Sequence, residues 1–363
     1  MENFDYFAFV GTYTAGNVVN ENLNSKGIYI LGYDSKTGKS DIINTAYEKD
    51  NPSFLALSPN GKYLYSVGEI DDKRGGALSA YEFNKNNGSL SIINSISTGS
   101  NGPCHLMTDL NGLILLAANY AGGASTLAKI NNDGSLDEEV QVIQHVGSSI
   151  NPERQMEPHA HSINVSPSGK FALVPDLGTD KVIVYKIDHD EKKLIPNDPS
   201  FAKVSPGMGP RHLEFHPNNK VVYVINELGA TITIFDYDDA KGSLEEINTV
   251  STLPLDFNHK SCADIHISED GKYLYGSNRG HDSLAIYEVS SDGREITNID
   301  FQSTLGKTPR NFAIDPKGNY LLAANQDSSD IFTFKINKDN GKLESTGFKI
   351  DIPYPVCIKF LER

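Results

Sequence analysis

Apolar residues recur along the chain in runs of four to seven, rich in Val, Ile, Leu and Tyr, and the breaks between them carry Pro-x-Gly-Lys or Asn-Gly-Ser strings. Runs this short, bounded by turn formers, predict β-strands rather than helices. The pattern also repeats. Pro210 to Glu227 followed by Thr231–Tyr237 serves as a template, and five other stretches match it: Pro52 to Glu69, Pro103 to Tyr120, His161 to Asp176, Ala263 to Arg279 and Pro309 to Gln326. The turn positions Gly61, Gly112, Gly169, Asn219, Gly271 and Gly318 lie 51, 57, 50, 52 and 47 residues apart. Each unit holds four strands, of the Arg211–Phe215, Val221–Ile225 and Thr231–Tyr237 kinds plus an outer one such as Leu244–Val250 or Leu90–Ile96.

Four antiparallel strands per repeat of about 50 residues predict an all-β propeller blade, whose edges stay exposed unless the ring closes. The two ends supply the closure. Pro355–Phe360 matches only the first strand of the template, whereas Phe7–Val10, Lys26–Tyr33 and Asp41–Ala46 match the second, third and fourth. Joined, they make one shared blade beside six whole ones. The expectation is a single seven-bladed β-propeller domain spanning residues 1–363. The chain has no Trp, which argues against a WD-type scaffold, and a pair of β-sandwiches would leave the split repeat unexplained.

Strand order predicts which rim carries chemistry. The 1→2 and 3→4 turns are short (Pro59-Asn60-Gly61, Asn86-Asn87-Gly88, Asp339-Asn340-Gly341), while the long connections Thr14–Ser25, Glu69–Gly76, Gln144–Ala160 and Thr252–Cys262 all fall on the opposite face. Long loops gathered on one face of a rigid ring mark the binding side. The second position of strand one, read blade by blade, is Ser53, Cys104, His161, Arg211, Ala263 and Arg310; the residue ending strand two is Glu69, Tyr120, Leu177, Glu227, Arg279 and Gln326. Both rings should face the mouth of the central channel, with Arg211 and Glu227 adjacent in one hairpin. Arg, His and Glu together can grip a carboxylate or phosphate and move a proton, although an Arg–Glu pair also serves merely to tie a rim together.

His159, His105 and His212 adjoin these rings as substrate-binding candidates, together with Tyr120 and Arg310. His216 and His266, further down strand one, read as core or turn residues. The ring Asn119, Asp176, Asn226, Asn278 and Asn325 reads as structural, its side chains bonding the following turn, so no metal is expected.

Composition narrows the partners. Thirty-two basic against 47 acidic residues give a net charge of −15 with no basic stripe, which disfavours nucleic acid. No stretch approaches the ~20 apolar residues of a membrane span, and Met1-Glu2-Asn3-Phe4-Asp5 lacks a basic leader, so a cytoplasmic location is expected, as a monomer or weak homodimer. Cys104, Cys262 and Cys357 are odd in number and unpaired in spacing, suggesting reduced thiols. No Gly-x-Ser-x-Gly elbow is present, and the Gly-Lys-Ser/Thr strings at Gly38 and Gly306 lack the earlier glycine of a phosphate loop, having Tyr33 and Phe301 there. An organic cofactor is therefore not expected.

The strings Pro158-His159-Ala160-His161-Ser162-Ile163-Asn164-Val165-Ser166-Pro167, Gly209-Pro210-Arg211-His212-Leu213-Glu214-Phe215-His216-Pro217, Val224-Ile225-Asn226-Glu227-Leu228, Ala263-Asp264-Ile265-His266, Asn278-Arg279 and Pro309-Arg310-Asn311-Phe312 resemble the seven-bladed propeller lactonase, or cycloisomerase-2, family. That family includes propeller-type bacterial 6-phosphogluconolactonases and fungal carboxy-muconate lactonizing enzymes. The resemblance runs over nearly the whole chain and places the family's active-site His, Arg, Glu and second Arg on His161, Arg211, Glu227 and Arg279. It implies hydrolysis of a small anionic sugar lactone, 6-phospho-glucono-1,5-lactone first among them, with Glu227 as base, Arg211 and His161 on the oxyanion, and Arg279 or Arg310 on the substrate's anionic group. A muconate-type cycloisomerase and a non-catalytic binding propeller are the alternatives, and a calcium-dependent six-bladed gluconolactonase is a further rival.

Overall fold

The computed structural model describes residues 4–15, 24–48, 50–258 and 261–363. Twenty-eight strands form seven four-stranded antiparallel sheets, six of them built from consecutive strands. The seventh is the shared blade: Pro355–Glu362 pairs with Tyr6–Thr12, which pairs with Gly27–Asp34 and then Lys39–Tyr47. The innermost strands pack side by side around the axis, and Pro355–Glu362 touches both Pro309–Ile314 and Leu55–Leu57, so the ring closes without a free inner edge. Among the described residues no helix is long and apolar enough to cross a membrane. Most of the Thr14–Ser25 connection, and His259 and Lys260 of Thr252–Cys262, lie outside the described residues.

The core explains the pattern of runs. Second and third strands are covered on both faces by neighbouring blades and read as continuous apolar segments: Val221–Asn226 and Tyr320–Asn325 are buried throughout. Outer strands such as Ser243–Ser251 are exposed or half-buried along their whole length and face solvent. Three buried tyrosines lock blades together by donating from the ring hydroxyl to the carbonyl of a turn glycine next door: Tyr65 to Gly134 (3.2 Å), Tyr223 to Gly293 (2.7 Å) and Tyr275 to Gly341 (2.8 Å).

One feature of the inner strands, invisible in the apolar pattern, builds the site. In four blades the register slips by one residue just after the proline that opens the inner strand: Pro103 pairs with Asn119 and His105 with Ala118; Pro210 with Asn226 and His212 with Ile225; Pro309 with Asn325 and Asn311 with Ala324; and Pro355 with Thr12 and Cys357 with Gly11. Cys104, Arg211, Arg310 and Val356 are the extra residues of these β-bulges. A bulge interrupts the strict in–out alternation and re-aims a side chain, so both Arg211 and the following His212 reach the channel.

The His161 blade solves the same problem differently. Its inner strand is only Asn164–Val165, preceded by a lone bridge from Ala160 to Asp176. His161 N–H donates to the Pro175 carbonyl (2.9 Å), but Pro175 has no N–H to return. The His161 carbonyl accepts instead from the Cys104 thiol (3.2 Å) of the next blade, which satisfies a buried acceptor that would otherwise be orphaned.

Candidate active site

At the long-loop mouth of the channel the predicted residues converge. Glu227 follows directly on strand Val221–Asn226, its N–H bound to the Gly209 carbonyl (2.7 Å). Gly209 has φ +64°, and a Cβ there would lie 2.7 Å from the Leu228 side chain, so this tight crossing requires glycine. The Glu227 side chain is 7% exposed and is gripped by three guanidinium groups: Arg211 Nε donates to Oε2 (3.0 Å), Arg279 Nη2 lies 3.0 Å from Oε2, and Arg154 Nη2 donates to Oε1 (3.0 Å). His161 Nε2 stands 3.9 Å from Oε2.

Each guanidinium is held from behind. Arg211, 2% exposed, donates through Nη1 to the Ala263 carbonyl and lies 3.4 Å from His212 Nε2. His212 in turn donates from Nδ1 to Asp264 (2.7 Å). Arg279 donates to the Cys262 carbonyl (3.0 Å), while its buried Nε–H finds no partner among the described residues, a donor left over for a ligand. Arg310 lies with its guanidinium 5.4 Å from the centre of the Tyr13 ring.

The electrostatics follow from burial set against this clustering. Burial alone would raise the Glu227 carboxyl, but the charges of Arg279, Arg211 and Arg154 outweigh it and hold the group well below the usual carboxylate range. Burial and the neighbouring Arg310 and Arg279 charges bring Arg211 down to about 10, still a cation at neutral pH. Burial and the Arg211 charge keep His161 neutral, far below the ordinary imidazole value.

A second carboxyl behaves oppositely. Glu69 bonds Ser53 Oγ and Tyr13 Oη, and burial raises it despite Arg310. Glu69, Tyr13, Ser53, His161, Arg211 and Arg310 surround a void of about 10 Å³, about the room one water needs. Two acidic side chains pushed apart in pKa within one polar cluster are the mark of an acid–base site.

Tyr120 and His159 complete the mouth. Their rings stack at 4.5 Å and 15°, His159 Nδ1 bonds the Tyr120 carbonyl (2.9 Å), and the Tyr120 hydroxyl accepts from Arg154 (2.8 Å). His105 stands away from its expected rim position, whereas His212 borders the small void and also reaches below it. Standing one residue past the bulges, they lie deeper, where Phe54, His105, His161 and His212 pack ring to ring at 4.2–5.9 Å and plug the channel. Below the plug is a separate chamber of about 400 Å³.

His266 also departs from its reading as a core or turn residue. Its side chain is 30% exposed in that lower chamber, bonded to Asp264 and Glu214 (both 3.1 Å). The Asn ring bonds differently from the expected capping of the following turn: Asn119 and Asn226 donate to the Thr126 and Thr233 hydroxyls on the third strand, and Asn278 and Asn325 to the Thr252 and Thr304 carbonyls beyond the fourth strand of the preceding blade. Among the described residues no three His, Cys, Asp or Glu side chains converge as a metal site requires.

The repeat places Glu69 in the rim ring without giving it a role, and it gives no sign of Arg154. Arg154 sits in a loop with no counterpart in other blades, so periodicity carries no signal for it. Glu69 occupies the aligned position of Glu227, and that match was the available clue.

The His266 cluster has a pH signature. Burial would lower the imidazole, but the Asp264 and Glu214 carboxylates raise it to about 10. A histidine raised in the fold stabilises fully below its unfolded value of about 6.5 and loses that contribution as pH climbs through its folded value. Asp264, held down chiefly by His266 against its burial, sets the opposite limit in acid. His266→Gln should therefore cost most stability between about pH 4 and 6.5, with the gap from the parent shrinking toward pH 10; urea unfolding at pH 5.5, 8 and 10 measures it, and a constant gap would refute the linkage.

A ring of seven blades with an arginine-clamped carboxylate at its mouth defines a β-propeller with a charged, polar pocket on its axis. The comparisons make the class specific. The family model described as Lactonase, 7-bladed beta-propeller matches residues 7–360, and the chain belongs to that family; its reaction class is the hydrolytic opening of a lactone. A Bacillus subtilis 6-phosphogluconolactonase is 34% identical over 99% of both chains. The crystal structure of a putative 6-phosphogluconolactonase from Bacteroides fragilis superposes with a TM-score of 0.91 at 40% identity, covering 99% of this chain and 98% of that one. A periplasmic gluconolactonase from Pseudomonas aeruginosa superposes at 0.90 with 31% identity over 98% and 99% of the two chains.

Proposed function

We propose that the protein hydrolyses 6-phospho-glucono-1,5-lactone to 6-phosphogluconate at the long-loop mouth of the channel, as the names of the Bacillus and Bacteroides relatives suggest. The observation that carries this reading is a single carboxylate, Glu227, buried among three guanidinium groups in a chain of net charge −15. An acidic protein repels an anionic lactone except where local arginines reverse the field.

Glu227 takes a proton from a water as the water oxygen attacks the ring carbonyl carbon. Negative charge then builds on the carbonyl oxygen, where Arg211, the free Nε–H of Arg279 and neutral His161 supply donors. The ring C–O bond breaks, and the departing oxygen takes a proton from Glu69, which burial keeps more readily protonated than an ordinary carboxyl. Tyr120 and His159 form the wall against which the sugar ring lies, and Arg310, beside Glu69, keeps that side of the void attractive to anions. A phosphorylated sugar lactone fits a cytoplasmic enzyme acting as a monomer or weak homodimer, with no cofactor required.

A lactone panel tests the proposal. Purified protein should open 6-phospho-glucono-1,5-lactone faster than glucono-1,5-lactone, and exhaustive chelation should leave the rate unchanged. Turnover of neither lactone would point to a binding propeller, lactone formation from a muconate would point to the cycloisomerase reading, and equal rates would remove the phosphate from the proposal.

A further inference from the structure

Arg154 stands where a substrate has to go. It lies on the Gln144–Ala160 connection, reaches across the mouth, and divides one guanidinium nitrogen between the Tyr120 hydroxyl (2.8 Å) and Glu227 Oε1 (3.0 Å). The neighbouring void among Glu69, His161, Arg211 and Arg310 measures about 10 Å³, too little for a sugar ring.

The backbone under Arg154 is fixed. Asn151 Oδ1 accepts from the Glu153 and Arg154 N–H groups, Gln155 is fully buried and donates to the Leu177 carbonyl (2.8 Å), and Ser149 bonds Asp180. The loop lies so close on the next blade that a Cβ at Gly178 would meet the Glu157 carbonyl oxygen at 1.9 Å. The side chain, by contrast, is 40% exposed, whereas Arg211 and Arg279 on the same carboxylate are 2% and 13% exposed. Of the three clamps, only Arg154 is free to swing without unmaking the fold.

From this we infer that Arg154 captures the phosphate of a phosphorylated lactone, and that in leaving Glu227 to do so it releases the base for catalysis. The inference rests on the reading of Glu227 as base and of a sugar lactone as substrate. A guanidinium bound to two acceptors through one nitrogen still has unused donors in a planar fork, and a phosphate dianion engages such a fork more strongly than a single carboxylate oxygen does. The exchange also alters the chemistry. A carboxylate held by three cations is a weak base; with one removed to a phosphate, Glu227 is held by two and becomes more basic while substrate is seated. An unphosphorylated lactone has to displace Arg154 with nothing offered in return. Specificity for the phosphate thus appears in kcat as well as in KM.

The experiment compares the parent protein with Arg154→Ala and Arg154→Lys on 6-phospho-glucono-1,5-lactone and on glucono-1,5-lactone, the latter with and without phosphite dianion as a detached phosphate. In the parent, phosphite should accelerate glucono-1,5-lactone hydrolysis about 10-fold. In Arg154→Ala that activation should vanish, the preference for the phosphorylated lactone should fall by about 100-fold, and the acid limb of kcat/KM for glucono-1,5-lactone should move to higher pH, since one cation no longer stabilises the ionised carboxyl. Arg154→Lys keeps the charge without the fork and should recover part of the preference.

Full preference and intact phosphite activation in Arg154→Ala would overturn the inference while leaving the lactonase reading standing. Failure of that underlying reading looks different: the parent would open neither lactone, or Glu227→Gln would turn over normally.

Discussion

Glu227→Gln is expected to lower kcat on 6-phospho-glucono-1,5-lactone by roughly 10³-fold, within the range attributed to a general base, while affinity for 6-phosphogluconate stays the same or tightens. The two effects separate because of what surrounds the side chain. Glutamine is nearly isosteric and fills the same space, but its single acceptor oxygen can serve Arg211 on one side or Arg154 on the other, so the amide nitrogen faces a guanidinium and one of these bonds is lost. The amide cannot take a proton from water, so the chemical step suffers. Replacing a carboxylate by an amide among three guanidinium groups also adds one net positive charge to the pocket, which favours an anionic product. Product titration alongside steady-state kinetics measures both. A parallel fall in affinity and rate would instead mean that Glu227 serves only to organise the arginines.

Arg211→Ala is expected to be costly in two currencies, about 10²–10³-fold in kcat/KM through loss of a carbonyl-facing cation and roughly 3 kcal/mol in stability through removal of one partner from a buried ion pair. At 2% exposure Arg211 is the largest fully buried side chain among the described residues, and its loss leaves the Ala263 carbonyl without its donor and His212 Nε2 without its neighbour. Arg211→Lys keeps a charge but not the fork that joins Glu227 to Ala263 across two blades, so it should restore more stability than rate. Urea unfolding and lactone hydrolysis on both variants test this. Near-normal rates in Arg211→Ala would remove it from the reaction and leave it a tie between blades.

The ring and much of the mouth were legible in the sequence because the repeat does the work of alignment. The position that ends strand two is structurally equivalent in every blade, so Glu227, Arg279 and Tyr120 could be placed at one rim without coordinates, and the strand-one position did the same for His161 and Arg211. The split between Pro355–Phe360 and Phe7–Val10 fixed the closure, because a lone first strand is useful only if the rest of its blade lies at the other end of the chain.

Depth along the channel was not legible. A bulge is one extra residue, and the apolar pattern of Pro210–Phe215 is the same with or without it, so the sequence does not show that His105 lies in the plug below or that His212 reaches from the void into it. The prolines that begin these strands were the only hint. His266 was misplaced for a related reason: a histidine among apolar neighbours in a strand reads as core unless its carboxylate partners, Asp264 two residues away and Glu214 on the adjoining blade, are known to meet it in an open chamber. Arg154 lay beyond reach because nothing in another blade aligns with it.

The central claim is that lactone chemistry occurs at the upper mouth, on Glu227, and not in the larger chamber beneath the histidine plug. A crystal structure with the lactam analogue of 6-phospho-glucono-1,5-lactone, whose amide resists hydrolysis, tests it most directly. The ring carbonyl should lie against Arg211, Arg279 and His161 with the Glu227 carboxylate facing its carbon across one water, and the phosphate should sit on an Arg154 swung away from Glu227. A lactam lodged among His266, Asp264 and Lys359 in the lower chamber, with the Glu227 cluster undisturbed, would contradict it.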